Sequence, residues 1–256
     1  MKKVQLFLAS ILFAFTAVQA QDATVDEIID GYFENTGGKE AWDQLQGIKM
    51  IAKVNQGGIE IPLEIVQLKD GRTYTKFSFQ GNEFFQNVFD GEDLWSINFQ
   101  SLKAEKSDQE STDNFKLDIN DFPDSFLNYK EKGYTAELMG METVEGAETY
   151  KVKLLKEPRK VDGKEVEDVT FYYFDTEAFI PIAQDSEIKA GPQAGAIGRS
   201  TSSDYDEVEG LYFPFSLTQG VKDGPSQPIM IETIEVNPEV DDAIFKFPGN
   251  AEEDGE

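Results

Sequence analysis

Two short runs in the last third of the chain contain the residue types that bind phosphate or calcium. Gly191, Gly195 and Gly198 are spaced loosely like a phosphate-binding loop, but no Gly-Lys-Ser or Gly-Lys-Thr follows them, so a flexible loop is favoured. The acids of residues 204–207 resemble the start of a calcium-binding loop. The glycine and the closing glutamate that such a loop needs are absent, so we interpret these acids as a solvated run of charge.

Missing residue types exclude further chemistry. The chain has no cysteine and no histidine, which excludes disulfides, thiol catalysis, Ser-His-Asp triads and the usual zinc sites. Paired carboxylates could cleave glycosides, but close pairs arise by chance among 49 acids and none stands out. We therefore expect that the protein is not an enzyme and that it has neither a cofactor nor a metal site. A hydrolase acting through Asp and Glu side chains is the enzymatic alternative.

The acids also limit the partners of the protein. They are spread along the whole chain and give it a formal net charge of −26 at pH 7. A protein of this charge is repelled by nucleic acids and by anionic membrane surfaces. We expect no nucleic-acid partner.

The first twenty residues have the order of a secretory signal. Lys2 and Lys3 precede an almost wholly apolar stretch at residues 4–18, and Val18-Gln19-Ala20 offers small residues to a signal peptidase. We predict cleavage after Ala20 and a soluble, exported protein. Its first residue would be Gln21, which, unlike cysteine, cannot carry a lipid anchor. An uncleaved amphipathic helix is the alternative.

Periodicity predicts helices at the start of the mature chain. Thr24 and Glu27 form a capping box, and apolar residues then recur at helical spacing up to the glycine pair at residues 37–38. A shorter helix is expected over residues 39–46. A polar stretch at residues 101–132 predicts a loop with one or two short helices.

The rest of the chain predicts antiparallel strands. From residue 48 apolar and polar residues alternate, and short turns such as Asp-Gly and Gly-Asn recur between the apolar runs. About 10–11 strands are expected, so the fold class is mainly β (α+β). We expect one domain over residues 21–250 and a disordered acidic tail at residues 251–256.

Aromatic residues are abundant in the predicted strands. The chain contains 20 Phe and 9 Tyr, and in one strand alternation places Phe84 with Val88 on one face and Phe85 with Phe89 on the other. A sheet that is apolar on both faces is either covered by helices or lines a cavity. Both interpretations remain open at this point.

Three motifs resemble a known family. They are Phe-Asp-Gly-Glu-Asp-Leu-Trp at residues 89–95, Gly-Leu-Tyr-Phe-Pro at residues 210–214, and Val-Asp-Asp-Ala-Ile-Phe-Lys-Phe-Pro at residues 240–248. Their order along the chain is similar to that of the LolA-like periplasmic carriers, also called outer-membrane lipoprotein-sorting proteins. The resemblance implies an incomplete antiparallel β-barrel with helices as a lid, and a hydrophobic cavity for acyl chains between them.

The resemblance and strand alternation together suggest ligand-binding residues. We expect the cavity to be lined by Phe77, Phe79, Trp95, Ile97 and Phe99, with Phe213 and Phe215 either adding to it from the far edge or forming plain core. Family members carry an Arg near the second hairpin that hydrogen-bonds to the lid. Here Lys69 occupies that position, or the Arg is displaced to Arg72, so these two residues are the lid-latch candidates.

The resemblance implies a soluble periplasmic carrier of the acyl chains of lipoproteins or similar amphiphiles. Such a carrier would receive its cargo from an inner-membrane donor complex and pass it to an outer-membrane acceptor. The alternative is a non-catalytic sensor or interaction module on the same scaffold that binds lipid or misfolded protein.

Overall fold

The computed structural model describes residues 23–249. The predicted signal peptide, its cleavage site and the predicted acidic tail lie outside these residues. The described residues form three α-helices: α1 (Val25–Asn35), α2 (Lys39–Asp43) and α3 (Gln109–Asp118). Two 3-10 turns, Ile119–Asp121 and Asp242–Phe245, add to them. No described helix is long and apolar enough to span a membrane.

The first helix begins as its capping box predicts. The Thr24 hydroxyl accepts a hydrogen bond from the Glu27 backbone N–H (3.3 Å), and the Glu27 carboxylate accepts one from the Thr24 backbone N–H (2.8 Å). The helix ends at the predicted glycines, where the Gly38 N–H donates to the Phe33 carbonyl at 2.7 Å.

The described chain forms thirteen strands, rather than the ten or eleven predicted. They are β1 (Gly47–Gln56), β2 (Ile59–Leu68), β3 (Thr73–Phe79), β4 (Asn82–Phe89), β5 (Leu94–Ile97), β6 (Ala104–Lys106), β7 (Thr135–Val144), β8 (Ala147–Val161), β9 (Lys164–Asp175), β10 (Pro181–Glu187), β11 (Ile197–Val208), β12 (Leu211–Val221) and β13 (Ser226–Val236). Strand β6 lies in the polar stretch that predicted only loop and helix. It is only three residues long, Ala-Glu-Lys, and so carries no alternation signal.

All thirteen strands belong to one open antiparallel sheet in the order β6-β5-β4-β3-β2-β1-β13-β12-β11-β10-β9-β8-β7. Neighbours are consecutive in sequence everywhere except at the centre, where β1 pairs with β13. The sheet therefore consists of two meanders, β1–β6 and β7–β13, which are joined by the β1–β13 pair. Strands β6 and β7 form its two free edges.

The sheet is strongly curved. Helix α3 contacts both β5 and β8, which lie near opposite ends of the strand order. Ten strand spacings would separate them by roughly 48 Å in a flat sheet, whereas a ten-residue helix is only about 15 Å long. The open barrel predicted from the sequence is confirmed, and α3 bridges its gap.

The main hydrophobic core lies on the face that carries the helices, which we call the inner face. Ile28, Ile29 and Phe33 of α1 are fully buried there against the sheet. Helix α2 adds Trp42, whose ring packs on Phe213 of β12 with centroids 5.1 Å apart.

A second core lies on the opposite, outer face of β2–β5, where the C-terminal segment covers it. Val66, Tyr74, Val88 and Trp95 surround the fully buried ring of Phe245. The indole N–H of Trp95 donates to the Phe245 carbonyl at 2.9 Å, which satisfies both buried groups.

A β-bulge in β4 sets which residues of the following strands face inward. The register changes from Gln86 opposite Thr75 to Phe89 opposite Thr73, so one extra residue lies between the two pairs. The backbone of Asn87 adopts φ +50°, a left-handed conformation that asparagine tolerates well.

The bulge overturns the predicted faces of β4. The strand places Phe84 and Phe89 on the inner face and Phe85 and Val88 on the outer face. Because one extra residue reverses the alternation beyond it, Trp95, which pairs with Val88, also points outward.

Candidate ligand cavity and its lid

A cavity of about 580 Å³ lies between the inner face of the sheet and the helical segments. Its walls come from strands β1–β3 on one side and β9–β12 on the other, with α3 and residues 119–125 as its cover. The volume lies within the range of sites that enclose small organic ligands.

One part of the lining is apolar. It consists of Trp42, Ile48, Met50, Ile65, Phe115, Phe122 and Phe213. The Trp42 ring is held by its own N–H, which donates to the Thr36 carbonyl at 3.0 Å. This wall can pack against a hydrocarbon chain without leaving a polar group unsatisfied.

Another part of the lining centres on Asp124. Its Oδ1 accepts from the Phe126 backbone N–H at 2.7 Å and its Oδ2 accepts from the Tyr32 hydroxyl at 3.0 Å. Burial raises the pKa of the Asp124 carboxyl, while its hydrogen bonds oppose that shift. The same burial, together with the Asp124 charge, raises the pKa of Tyr32 well above its usual range.

Two further tyrosines surround this carboxylate. Tyr172 of β9 and Tyr205 of β11 both line the cavity. Burial is the main cause that raises the pKa of each phenol, and the nearby Asp124 charge adds to it. The Tyr205 hydroxyl donates to the Pro181 carbonyl at 2.9 Å. The phenols are therefore neutral hydrogen-bonding groups at any physiological pH.

Helix α3 is attached to one side of the barrel gap by apolar contacts. The ring of Phe115 packs on Phe89 of β4 with centroids 5.3 Å apart. The following 3-10 turn lies on the β2–β3 turn, where a Cβ built on Gly71 would stand 2.6 Å from the Ile119 side chain. Only glycine fits this close approach.

Polar contacts attach α3 to the other side of the gap. The Asn114 side chain donates to the Lys160 carbonyl (2.7 Å) and accepts from its N–H (2.9 Å). The Glu110 carboxylate accepts from the backbone N–H groups of Asp162 (2.9 Å) and Gly163 (2.7 Å) in the β8–β9 turn.

An ion-pair network completes this attachment. Arg159 of β8 binds Asp118 at the end of α3 with two guanidinium nitrogens, while its Nε donates to Asp168 at 2.7 Å. Lys156 binds Asp121 of the 3-10 turn at 2.6 Å. Burial alone would raise the pKa of Asp168, but the Arg159 hydrogen bond and the Lys156 charge lower it.

The two lid-latch candidates from the sequence make other contacts. Lys69 Nζ donates to the Asp43 carbonyl of α2 at 2.7 Å. Arg72 binds Asp70 (2.9 Å) and Asp242 (2.5 Å), and its guanidinium lies 5.1 Å from the centre of the Phe245 ring. Arg72 does line the cavity, but its contacts with Asp242 and Phe245 join the hairpin to the C-terminal segment.

The seven predicted cavity residues are distributed over four places. Phe213 lines the main cavity, and Phe215 is half-buried against the inner core. Phe77 packs on Phe84 with ring centroids 5.3 Å apart, and Phe99, 60% exposed, covers both. Phe79 follows on the same face of β3.

Trp95 and Ile97 lie in the outer cluster instead of the main cavity. Ile97 and Phe99 also line a second hollow of about 510 Å³ at the β5–β6 hairpin. The outward position of Trp95 and Ile97 is explained by the bulge at Asn87, because the bulge moves the side chains of β5 to the opposite face from the one that strict alternation predicts.

Sequence reasoning missed the residues that hold the lid and the polar cavity group. Arg159 lies 41 positions from Asp118, and Tyr32 lies 92 positions from Asp124. The Asp121–Asp124 stretch around Phe122 and Pro123 was visible as an acidic, aromatic segment, but nothing local pairs it with its partners. Among the described residues, no group of acids could hold a metal ion.

No protein-family model matches the chain, and no curated protein matches its sequence. Solved structures do match. A LolA-superfamily protein from Nitrosomonas europaea superposes with a TM-score of 0.52 at 12% identity, covering 88% of this chain and 98% of that one. The chain has the LolA-like fold.

Two further solved structures are similar to this chain. A DUF1329-family protein from Desulfovibrio piger has a TM-score of 0.52 at 15% identity, covering 88% of this chain and 98% of that one. A putative outer-membrane lipoprotein-sorting protein domain from Vibrio parahaemolyticus has a TM-score of 0.48 at 11% identity, covering 85% and 97%. At the level of fold, the superposition on the Nitrosomonas europaea structure confirms the resemblance found in the sequence.

Two of the LolA-like motifs meet in the structure. The Trp95 that ends the first motif packs on Phe247 of the last motif at 6.0 Å, in addition to its hydrogen bond to Phe245. These two motifs therefore stabilise the outer face, whereas the motif at residues 210–214 places Phe213 in the cavity wall.

Proposed function

We propose that this protein is a non-catalytic carrier that holds the acyl chain of a lipoprotein or similar amphiphile in the inner-face cavity. The observation that carries the proposal is the 580 Å³ cavity with its apolar wall and its bridging helix. The LolA-like fold supports it. The signal-like N-terminus supports work in the periplasm, between a donor at the inner membrane and an acceptor at the outer membrane.

The energetics suit a carrier. Burying about ten methylenes at ~0.8 kcal/mol each contributes roughly 8 kcal/mol before the costs of association. This stabilises a complex in solution while leaving dissociation fast enough for transfer. No covalent step is needed, and the cavity acids are already engaged by Tyr32, Arg159 and Lys156.

A cavity-filling variant tests the proposal. Thr75 lies on β3 and lines the cavity, whereas Ser78 is exposed on the other face of the same strand. We expect Thr75→Trp to weaken binding of the neutral fluorescent probe N-phenyl-1-naphthylamine at least about tenfold, since the indole occupies the ligand volume. Ser78→Trp should bind as the wild type does.

Native mass spectrometry of the purified protein provides the second measurement. We expect copurified lipid or lipoprotein in the wild type and in Ser78→Trp, and a depleted complex in Thr75→Trp. The carrier proposal would be refuted if the wild-type protein is purified without lipid and also does not bind the probe.

A further inference from the structure

Four charged residues line the cavity: Arg72, Asp118, Asp121 and Asp124. Three of the four are acids, and because Asp118 and Asp121 are paired with cations, Asp124 is the like charge that a negatively charged ligand would face at low dielectric. The single lining cation is already bound by two carboxylates, those of Asp70 and Asp242. The wall therefore offers no free positive charge from Arg72 to a fatty-acid carboxylate.

The two acids at the lid are also engaged. Asp118 is bound by Arg159, and Asp121 accepts from Lys156 Nζ at 2.6 Å and from the Tyr134 hydroxyl at 3.1 Å. These partners belong to the attachment of the lid. They leave Asp124 as the lining acid whose carboxylate is held by hydrogen bonds from neutral donors.

Asp124 retains capacity to accept hydrogen bonds. Each of its carboxylate oxygens accepts one bond, from the Phe126 N–H and from the Tyr32 hydroxyl. A carboxylate offers about four acceptor sites, so each oxygen has one left. Lys132 donates to the backbone carbonyl of Asp124, at 2.9 Å, and not to these oxygens.

The neighbouring phenols add acceptors of the same kind. The hydroxyl protons of Tyr32 and Tyr205 are already donated, to Asp124 and to the Pro181 carbonyl. The Ser202 side chain also hydrogen-bonds to the Tyr205 hydroxyl. Each phenolic oxygen has two lone pairs, so at least one acceptor site is left on each in the cavity that both residues line. A buried ligand group that meets these oxygens stabilises the complex only if it donates hydrogen bonds.

We infer that the cavity selects amphiphiles whose head group donates hydrogen bonds and carries no negative charge, with Asp124, Tyr32 and Tyr205 as the accepting groups and the apolar wall holding the chain. This inference rests on the proposed function and names the ligand class of the same cavity. Hydroxylated acylglycerols and long-chain amines both satisfy it. Free fatty acids and esters without a hydroxyl do not.

Four lipids of equal chain length separate the possibilities. Monopalmitoylglycerol donates through hydroxyls, hexadecylamine through an ammonium, palmitate carries a negative charge, and methyl palmitate has neither donor nor charge. Each is titrated against protein loaded with N-phenyl-1-naphthylamine. We expect at least one of the two donating lipids to displace the probe about tenfold more tightly than palmitate and methyl palmitate do. The comparison between the two donors then identifies the head group.

Variants connect the preference to the named residues. Asp124→Asn should reduce the preference for the donating lipids over palmitate by about tenfold, because an amide removes the charge and half of the acceptor capacity. Tyr205→Phe removes one acceptor without touching the carboxylate, so it serves if Asp124→Asn does not fold. This variant should weaken binding of the donating lipids by about threefold or more and leave binding of methyl palmitate unchanged. Glu131→Gln, an exposed acid seven residues from Asp124, is the matched control and should bind all four lipids as the wild type does.

The outcomes distinguish this inference from the proposed function. Equal displacement by all four lipids, or tightest displacement by palmitate, would overturn the head-group inference and leave the carrier proposal standing. An unaltered preference in both Asp124→Asn and Tyr205→Phe would overturn the assignment to these residues. Failure of all four lipids to displace a bound probe would count against both proposals.

Discussion

The guanidinium of Arg159, on strand β8, binds the carboxylate of Asp118 at the end of helix α3, and this pair joins the cavity lid to the far side of the open barrel. Burial would lower the pKa of Arg159, but the hydrogen bonds to Asp118 and Asp168 raise it further from neutrality. Burial raises the pKa of Asp118 despite its cationic partner. The pair is therefore a partly desolvated contact in which loss of one partner is costly.

Removing this arginine should loosen the lid. In Arg159→Ala we expect the backbone amides of α3 to exchange with deuterium about tenfold faster or more, because Asp118 loses its ion pair and Asp168 keeps only the one with Lys156. Hydrogen–deuterium exchange measured by mass spectrometry gives the result. Arg199→Ala is the control, since Arg199 binds Asp185 elsewhere on the sheet. Equal acceleration of α3 in both variants would contradict the role of Arg159.

A disulfide across the lid should block the cavity. The reciprocal hydrogen bonds between Asn114 and Lys160 bring α3 against β8, and the chain has no cysteine of its own. We expect oxidised Asn114→Cys/Lys160→Cys to take up N-phenyl-1-naphthylamine much more slowly than the reduced form, since an ordinary disulfide holds the two backbones together. Each single cysteine variant, treated with the same oxidant, is the control. Unchanged uptake after verified cross-linking would show that ligands enter elsewhere.

A methyl group at Gly71 should push the lid away from the β2–β3 turn. Gly71 has φ +91° and its Cβ would meet Ile119 at 2.6 Å, whereas Gly81 has φ +81° and open space around it. We expect Gly81→Ala to lower the free energy of unfolding by about 1–2 kcal/mol from backbone strain alone. Gly71→Ala should cost about 1–3 kcal/mol more, from overpacking.

Urea unfolding measures both glycine variants. Adding Ile119→Ala should recover much of the extra cost in Gly71→Ala and none of the cost in Gly81→Ala. Identical losses in the two single variants would mean that the turn does not support the lid.

Trp95 should matter for stability and leave ligand binding unchanged. Trp95→Phe removes the hydrogen bond to the buried Phe245 carbonyl, which we expect to lower the free energy of unfolding by about 1–3 kcal/mol. Probe affinity should stay at the wild-type value, because the residue lies on the outer face. Phe213→Ala provides the contrast, with a weakened affinity. A Trp95→Phe protein with normal stability and poor binding would restore the assignment made from the sequence.

Low pH should remove the contribution of the Asp185 carboxylate to the stability of the fold. This buried carboxylate accepts from Arg199 (2.7 Å), Lys222 (2.9 Å) and Tyr173 (2.9 Å). Burial would raise its pKa, but these bonds lower it below the usual value. A carboxyl with a lowered folded-state pKa stabilises the fold above its unfolded pKa of about 3.9 and loses that contribution as pH falls through the folded value.

We therefore expect Asp185→Asn to be clearly less stable than the wild type at pH 7. The difference should shrink as the pH falls below about 4. Urea unfolding across this pH range checks the prediction, with Glu131→Gln as an exposed control. A difference that stays constant with pH would mean that the charge of Asp185 does not stabilise the protein.

Local patterns predicted the elements well where they repeat over many residues. The capping box at Thr24 and the glycines after α1 both act as expected, and the hairpins from residue 48 onward follow the predicted alternation. The open LolA-like barrel also followed from the sequence, because its motifs keep their order along the chain.

The site was predicted less well, for two physical reasons. Strict alternation cannot reveal a bulge, so one residue at Asn87 moved Trp95 and Ile97 to the other face. The contacts of the lid depend on the curvature of the whole sheet, which brings Arg159 to Asp118 across the gap. No local spacing in the sequence indicates a contact of this range.

The pairing of β1 with β13 at the centre of the sheet has a consequence for the order of folding. The Gln46 N–H donates to the Asn237 side chain at 2.7 Å, and Ile48 lies opposite Val236. Each meander can form from its own neighbouring hairpins, but β1 remains an open edge with unpaired N–H and C=O groups until residues 226–236 are available to pair with it. The folding chain is therefore most exposed to aggregation just before its last strand pairs. Deletion of three residues from the middle of β13 should be far more harmful than deletion of the three-residue edge strand β6.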